Sequence, residues 1–370
     1  MNIQFQFKRA GLLAALLLPV SLAYASPCDL IVSGYALQVG FGNFSAASSA
    51  VENSPECFGA TSSRAQVQIN GTTFAQMNTI SNVLQRRWDS DSPGPTVGLA
   101  FKGIAAGNAG KKWNVWGNMD NNDTRQSGRI GTTTAFSKAD STVKNFVGGV
   151  DYSLGSNMVV GLSATYDTGN TGASSTAPGG AAINDINTRG YSVAPYFGMQ
   201  ITKTLSFDVS AGLGKAKFVT NFRTEGESDR WFGSANLNYE RWLGNFQFSG
   251  KASYLRATED YDAQKVAGAP VAATAAKYTL GQARVTAQAG YWISGFLPYV
   301  ALGYVSDIER KSTLIGAPAD PIGKNAWFWT VGANFISLSN GLTAGLFYRQ
   351  EQGRTNQDVK LFSGNIAWRF

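Results

Sequence analysis

The sequence predicts an all-β fold: a 12-stranded antiparallel transmembrane β-barrel with a helix ahead of its first strand. Three observations predict it. In twelve segments, apolar and polar side chains alternate. Short and long connections between these segments also alternate along the chain. Only 15% of the residues are charged and 12% are aromatic, against roughly 25% charged residues in an ordinary soluble domain. After residue 25 no apolar run has the length of a membrane helix, so a closed barrel is the remaining way to cross a bilayer.

Residues 1–25 have the organisation of a secretory signal peptide. Lys8 and Arg9 precede an apolar run that ends near Leu22, and Ala23-Tyr24-Ala25 supplies an A-x-A cleavage site. The run is shorter than the roughly 20 residues that a membrane helix needs. We therefore expect cleavage after Ala25 and export of the mature chain from the cytoplasm.

Two cysteines, Cys28 and Cys57, are the only ones in the chain. In an oxidising compartment such a pair predicts one disulfide, which would stabilise residues 26–71 by about 3 kcal/mol. A redox or metal site is the alternative. It is disfavoured because two cysteines without any histidine do not make a ligand set.

An amphipathic helix is predicted over residues 73–88, within a helix-and-linker region at 72–110. Its apolar residues recur at helical spacing: Phe74, Met77, Ile80, Leu84 and Trp88. Thr73 and Gln76 match a capping box, and Pro93 and Pro95 follow the predicted end. The helix would be about 24 Å long, close to the height of the apolar band of a membrane barrel.

Residues 111–370 are predicted to form the barrel. One face of each segment is apolar, as in Phe146/Val150, and the other is polar, as in Asp151, Asp208 and Glu240. The twelve predicted strands are 112–119, 143–154, 158–166, 190–201, 204–214, 230–242, 246–256, 279–293, 297–306, 326–337, 341–350 and 359–370.

The connections between the predicted strands alternate in length. Tight turns are predicted at 155–157, 202–203, 244–245, 294–295 and 339–340. Long polar connections are predicted at 120–142, 167–189, 215–229, 257–278, 307–325 and 351–358. This asymmetry is typical of outer-membrane barrels, whose short turns face the periplasm.

The chain ends in FSGNIAWRF, with Phe362, Ile366, Trp368 and Phe370 on one face of a strand. We expect this face to contact lipid. We also expect the last strand to pair with the first, because closure of the sheet removes its exposed edges.

The order of helix, linker and barrel from Thr73 to Phe370 resembles the translocator of the classical autotransporters, the type V secretion proteins of Gram-negative bacteria. AGNAGKKWNVWG (106–117), which leads into the first predicted strand, is similar to the family, and VGGVDYSLG (147–155) is similar to the G-x-D-Y-x-L-G hairpin of the family. The resemblance implies that the helix threads the pore and that an upstream passenger reaches the cell surface.

The same resemblance implies the partners. They are outer-membrane lipid, periplasmic chaperones, and a barrel-assembly machinery that would read Phe362, Ile366, Trp368 and Phe370. We expect a monomer.

This chain departs from the family pattern in its N-terminal part. Only about 45 residues, 26–71, stand where passengers are usually far longer, so this segment would be a vestigial passenger, a cap or a plug. Some family members cleave themselves at two adjacent asparagines in the helix. Here Asn78 and Asn82 are separated, which argues against self-cleavage.

Other functions are disfavoured by composition. The chain has no histidine, which excludes Ser-His-Asp triads and histidine-based metal sites, and we expect neither an enzyme nor a cofactor. The net charge of +7 is scattered rather than clustered, so no nucleic-acid surface is expected. Two classes of function stay open: a translocator of the N-terminal segment, and a stand-alone channel or adhesin barrel without an exported passenger.

One specific contact is predicted between the helix and the pore wall. Arg86 and Arg87 lie near the end of the predicted helix, and Asp151, Asp208 and Glu240 are expected to face the lumen. Ion pairs between these groups would hold the helix in place, and removal of one partner would leave a buried unpaired charge.

Overall fold

The computed structural model describes residues 62–89, 112–129, 136–175, 183–220, 224–266, 269–271, 275–313, 322–337 and 340–370. The predicted signal peptide and the predicted Cys28–Cys57 disulfide lie outside these ranges. Within them, twelve long strands form a closed antiparallel barrel, two further short strands extend it, and two consecutive helices lie inside it. The predicted fold class is confirmed.

The long strands are 11 to 20 residues in length. In chain order they are β1 (Trp113–Arg129), β2 (Phe136–Ser153), β3 (Met158–Ser175), β4 (Ile183–Gln200), β5 (Leu205–Thr220), β6 (Thr224–Leu243), β7 (Phe246–Tyr261), β10 (Ala276–Tyr291), β11 (Phe296–Ser312), β12 (Asn325–Ser337), β13 (Leu342–Gln352) and β14 (Gln357–Arg369). The short strands β8 (Gln264–Val266) and β9 (Ala269–Val271) form a hairpin beside the start of β6.

The barrel closes between its first and last strands, as the sequence predicts. β1 pairs with β14 along its length, from Asn114 opposite Arg369 to Gln126 opposite Gln357. At the end of this seam, Trp113 and Phe370 exchange two backbone hydrogen bonds of 3.1 and 3.0 Å. No long strand of the described chain is therefore left with an unpaired edge inside the apolar band.

Side chains alternate between the two faces of the wall. Outward positions such as Leu162, Trp327 and Leu346 are more than half exposed, whereas the inward Asp151, Ser163 and Asp208 are each 1% exposed. The predicted outward face of the last strand is also confirmed, since Phe362, Ile366, Trp368 and Phe370 all point away from the lumen. An apolar exterior around a polar interior is the arrangement that a bilayer requires.

The strands are longer than predicted at one end of the barrel. β1 was expected to end at residue 119 and runs to Arg129, so the predicted loop at 120–142 is mostly strand. Beyond Met119 the outward side chains are polar, Asp123 and Arg125 among them. The prediction failed there because a strand above the bilayer is polar on both faces and loses its alternating signal.

The tight turns lie at the opposite end, which we call the turn end; the end with the extended strands is the loop end. Gly244, Ser294 and Gly295 adopt positive φ angles of 58°, 47° and 94°, which closes the two turns between β6 and β7 and between β10 and β11. The predicted turns at 155–157 and 202–203 are also where expected. The turn at 339–340 is described only from Asn340 onward.

Two helices precede the barrel: α1 (Ser62–Gly71) and α2 (Thr73–Asp89). They are almost continuous, because the Thr72 N–H donates to the Gln68 carbonyl and the Gln76 N–H donates to the Thr72 carbonyl, both at 2.9 Å. Neither described helix is long and apolar enough to span a membrane.

The predicted helix over 73–88 is thus present but starts earlier, at Ser62. The predicted capping box is wrong. Thr73 is inside the helical run, where its hydroxyl donates to the Ile69 carbonyl at 3.0 Å, and the Gln76 side chain bonds to the barrel wall. The side chains of Thr73 and Gln76 match the capping pattern. A cap is not needed there, because the helix continues from α1 and backbone N–H groups such as that of Gln76 already donate to carbonyls one turn earlier.

Candidate functional site

The two helices fill the lumen of the barrel, and their apolar face forms its core. Five helix side chains have no exposed surface: Ile69, Phe74, Met77, Ile80 and Leu84. They belong to one cluster with inward-facing wall residues, including Trp116, Phe232 and Leu255. At roughly 1.5–3 kcal/mol for each large buried apolar side chain, this packing is a substantial attraction between helix and wall.

One glycine allows the helix to approach the wall closely. A Cβ atom on Gly198 of β4 would lie 3.1 Å from Cδ1 of Leu84. A larger residue there would have to displace the Leu84 side chain or the helix that carries it.

At the turn end, Arg87 anchors the C-terminal end of α2. Its guanidinium forms an ion pair with Asp151, donates to the Ser153 hydroxyl, and donates to the Lys112 carbonyl at 3.2 Å. Asp151 also accepts hydrogen bonds from Asn114 at 2.9 Å and from the Tyr196 hydroxyl at 3.0 Å. The pair is therefore buried and embedded in further hydrogen bonds, the condition under which a buried ion pair is tolerated.

A second arginine supports the same helix end. Arg369 of β14 donates to the Arg87 carbonyl at 3.1 Å. The last carbonyl groups of a helix lack intrahelical partners and carry a partial negative charge, so a cationic donor is favourable there.

The structure brings together only one of the predicted pairs between arginine and carboxylate. Asp208 accepts instead from Ser81 at 2.8 Å and from two asparagines of β6, and Glu240 accepts from the Trp242 indole at 2.6 Å. Arg86 lines a cavity on another side of the helix. Consecutive helical residues point about 100° apart, so Arg87 reaches Asp151 whereas Arg86 makes no ion pair with any of the three predicted carboxylates.

In the middle of the pore, Gln76 links α2 to two strands. Its amide nitrogen donates to the Ser163 hydroxyl of β3 at 3.0 Å, and its amide oxygen accepts from the Ser192 hydroxyl of β4 at 2.6 Å. Both polar ends of the amide are thus satisfied in a buried position.

At the loop end, two glutamines of α1 bind buried carboxylates. Gln66 donates to Asp307 at 3.1 Å, and Gln68 donates to Asp167 at 3.2 Å. Asp307 is held by Arg310 and by Arg354 at 2.8 Å, while Asp167 is held by Arg230 at 2.6 Å.

Sequence reasoning missed this loop-end network entirely. Gln66 and Gln68 precede the predicted helix, and Asp167 and Asp307 fall in predicted loops. The available signal was the concentration of arginines and carboxylates at residues 225–230 and 307–310.

These contacts fix the direction of the helix in the pore. Arg87, near the C-terminal end of α2, lies at the turn end, and Gln66, near the start of α1, lies at the loop end. Residue 62 is therefore at the end of the barrel opposite the tight turns. An apolar belt around the wall and a helix in the lumen are the features of an outer-membrane barrel that is filled by its own N-terminal helix.

Comparisons with known proteins agree with this class. The autotransporter beta-domain family matches residues 115–349. This chain belongs to the autotransporter family and is located in the outer membrane. Comparison with curated protein sequences gives no match.

The fold is also similar to that of a solved translocator domain. The translocator domain of autotransporter NalP from Neisseria meningitidis aligns with a TM-score of 0.52 and 12% identity over 80% of this chain and 99% of that chain. The beta domain of the Bordetella autotransporter BrkA aligns with a TM-score of 0.49 and 15% identity over 70% of this chain and 100% of that chain. At such identities the likeness to NalP is one of fold alone.

Proposed function

We propose that this barrel exports its own short N-terminal segment and that the helix then stays in the pore as a plug. The observation that carries the proposal is the direction of the helix. Its C-terminal end is tied to the turn end through Arg87, and its N-terminal part is tied to the loop end through Gln66 and Gln68.

The direction matters because the two ends of the barrel face different compartments. Short turns of outer-membrane barrels lie in the periplasm, and the extended side lies outside the cell. A chain that precedes Ser62 would then leave the pore on the extracellular side. Residues 26–61 would be displayed there as a small segment attached to the plug.

Protease treatment of intact cells tests this proposal. We expect cleavage before the helix and a protected fragment that starts near Ser62 and keeps the barrel. A periplasmic marker protein should stay intact and serves as the control for leakage. A chain that is cut only after the outer membrane has been opened would contradict the proposal.

The proposal extends to assembly. The outward positions of Phe362, Ile366, Trp368 and Phe370 support a role as the signal that the barrel-assembly machinery reads, after delivery by periplasmic chaperones. Replacement of Phe370 by Ser should lower the amount of assembled barrel and leave synthesis unchanged. Replacement of Ser363, which faces the lumen, by Ala provides the matched control.

We also propose that the protein has no catalytic activity. The chain contains no histidine. The lumenal carboxylates that an acid pair would need are occupied, Asp151 by Arg87 and Asp208 by Ser81 and two asparagines. Hydrolysis of ester and peptide substrates by the purified protein is the assay that checks this expectation.

A further inference from the structure

The helix does not fill the lumen evenly. α2 packs mainly on the side of the wall formed by β1, β2 and β4–β7. On its other side a cavity of about 90 Å³ remains between α2 and strands β7 and β10–β13. A site of this volume has room for several water molecules, since one water occupies about 10–15 Å³ on the same scale.

Four cationic side chains line this cavity, which we call the basic cavity. They come from the helix and from three strands: Arg86, Lys251, Arg284 and Arg349. No Asp or Glu is among the described residues that line it.

The hydrogen-bond partners of these cations are neutral. Lys251 donates to Asn82 at 3.0 Å, Arg284 to Gln282 at 2.7 Å, and Arg349 to Thr330 at 3.3 Å. Nε of Arg86 is buried and has no partner among the described residues. In the part of the chain that the structure describes, all ion pairs within 4.0 Å involve other cations.

The nearby carboxylates are engaged elsewhere. Asp208, the carboxylate that attracts Lys251, already accepts three hydrogen bonds. Asp307 is bound by Arg310 and Arg354. Glu351 and Asp120 line a neighbouring cavity together with Arg284 and Arg349 rather than the basic cavity itself, and Glu351 is bound by Arg354 at 2.8 Å. Lys251 is in addition repelled by Arg86, Arg284 and Arg349. All four cations are only half-buried, so water screens part of their mutual repulsion. An anion bound among them would remove the rest of it.

We propose that the basic cavity is a binding site for a small multivalent oxyanion of the phosphate or sulfate type. Three of its four cations are guanidinium groups, whose paired N–H donors match the oxygens of such an anion. The hydroxyls of Thr286 and Thr330 and the amide of Asn82 supply further polar groups around the same space. This site is distinct from the export role and does not depend on it.

Two smaller cavities share lining residues with the basic cavity, one toward each end of the barrel. Arg86 also lines a second cavity, which reaches Asn114 and Arg369 at the turn end. Arg284 and Arg349 also line a third cavity, which reaches Asn122 and Glu351 toward the loop end.

Thermal unfolding of the full chain in detergent tests the proposal, with inorganic phosphate as the probe and chloride at equal ionic strength as the reference. We expect a rise of the midpoint that begins near the dissociation constant and then grows with the logarithm of the phosphate concentration, to roughly 5 °C at about 100 times the dissociation constant. A midpoint in phosphate no higher than that in chloride would overturn the proposal.

Variants locate the site. Arg284→Gln combined with Arg349→Gln should abolish the rise and be at least as stable as the wild type in chloride, because repulsion is relieved. Lys215→Gln combined with Lys277→Gln removes two exposed cations and should keep the rise. An equal rise of the midpoint with phosphate in both double variants would mean an adventitious ion only. A lower midpoint in chloride for Arg284→Gln combined with Arg349→Gln would show that the four cations need no anion, and would also overturn the proposal.

Lys251→Gln is a second route to the same answer if the first double variant does not fold. Equilibrium dialysis with radiolabelled phosphate should show binding about tenfold weaker than that of the wild type. Unchanged affinity in Lys251→Gln would contradict the assignment of the basic cavity.

Discussion

At the turn end of the pore, the guanidinium of Arg87 is enclosed by Asp151, Ser153 and the Lys112 carbonyl. The desolvation of both charges offsets much of their attraction, so the pair holds the helix in one position more than it adds net stability. Removal of one partner is different, because the other charge then stays buried alone.

We predict that Arg87→Ala lowers the free energy of unfolding by about 3–5 kcal/mol, because Asp151 loses its counterion. The measurement is equilibrium unfolding of the full chain in detergent or lipid. Arg125→Ala is the matched control, since Arg125 and Asp140 form an ion pair whose side chains are 77% and 76% exposed, and such a pair contributes only about 0–1 kcal/mol. Equal losses in the two variants would refute the role given to Arg87.

A second residue-scale prediction concerns the close approach of helix and wall. Gly198→Val should destabilise the folded protein by about 1–3 kcal/mol, because its side chain would collide with Leu84. Addition of Leu84→Ala should recover part of that loss, although the single variant Leu84→Ala is itself destabilising. Strictly additive effects in unfolding experiments would mean that the two residues do not touch.

At the scale of elements, the plug is α1 and α2 together, held at both ends and in the middle by polar contacts. Its periodic apolar residues made α2 predictable from the sequence. α1 was missed because its apolar residues, Ala65, Val67 and Ile69, recur at every second position rather than at helical spacing. Gln66 and Gln68 reach carboxylates of distant strands, and no local pattern encodes such contacts. The outward faces of the strands were predictable because contact with lipid makes every second residue apolar. The loop-end extensions do not contact lipid, so they lack this alternation and were not predicted.

The two arginines of the plug should differ in their effect on conductance. In planar bilayers, Arg87→Ala is expected to raise the single-channel conductance, because the C-terminal end of α2 is released from the wall. Arg86→Ala should leave the plug in place, since Arg86 makes no ion pair with Asp151, Asp208 or Glu240. A larger increase for Arg86→Ala than for Arg87→Ala would contradict this account of the anchor.

At the scale of the whole molecule, the barrel has an apolar belt with polar strand extensions above it. Two outward residues of β11 lie on either side of this border: Leu302, 68% exposed, and Ile308, 59% exposed. Leu302→Arg should cost about 2–4 kcal/mol in the free energy of folding into lipid vesicles, and Ile308→Arg about 0–1 kcal/mol. Similar costs at the two positions would place the border of the belt elsewhere.

The helix starts at the loop end of the barrel, which places the chain before Ser62 on the extracellular side. An epitope tag near Ser48, detected by antibody on intact cells, tests it most directly. A second tag in the turn at 155–157 reports the periplasmic side and should be detected only after the outer membrane is opened. We expect intact cells to stain for the tag near Ser48. Staining that appears only in opened cells would show that the helix runs in the opposite direction.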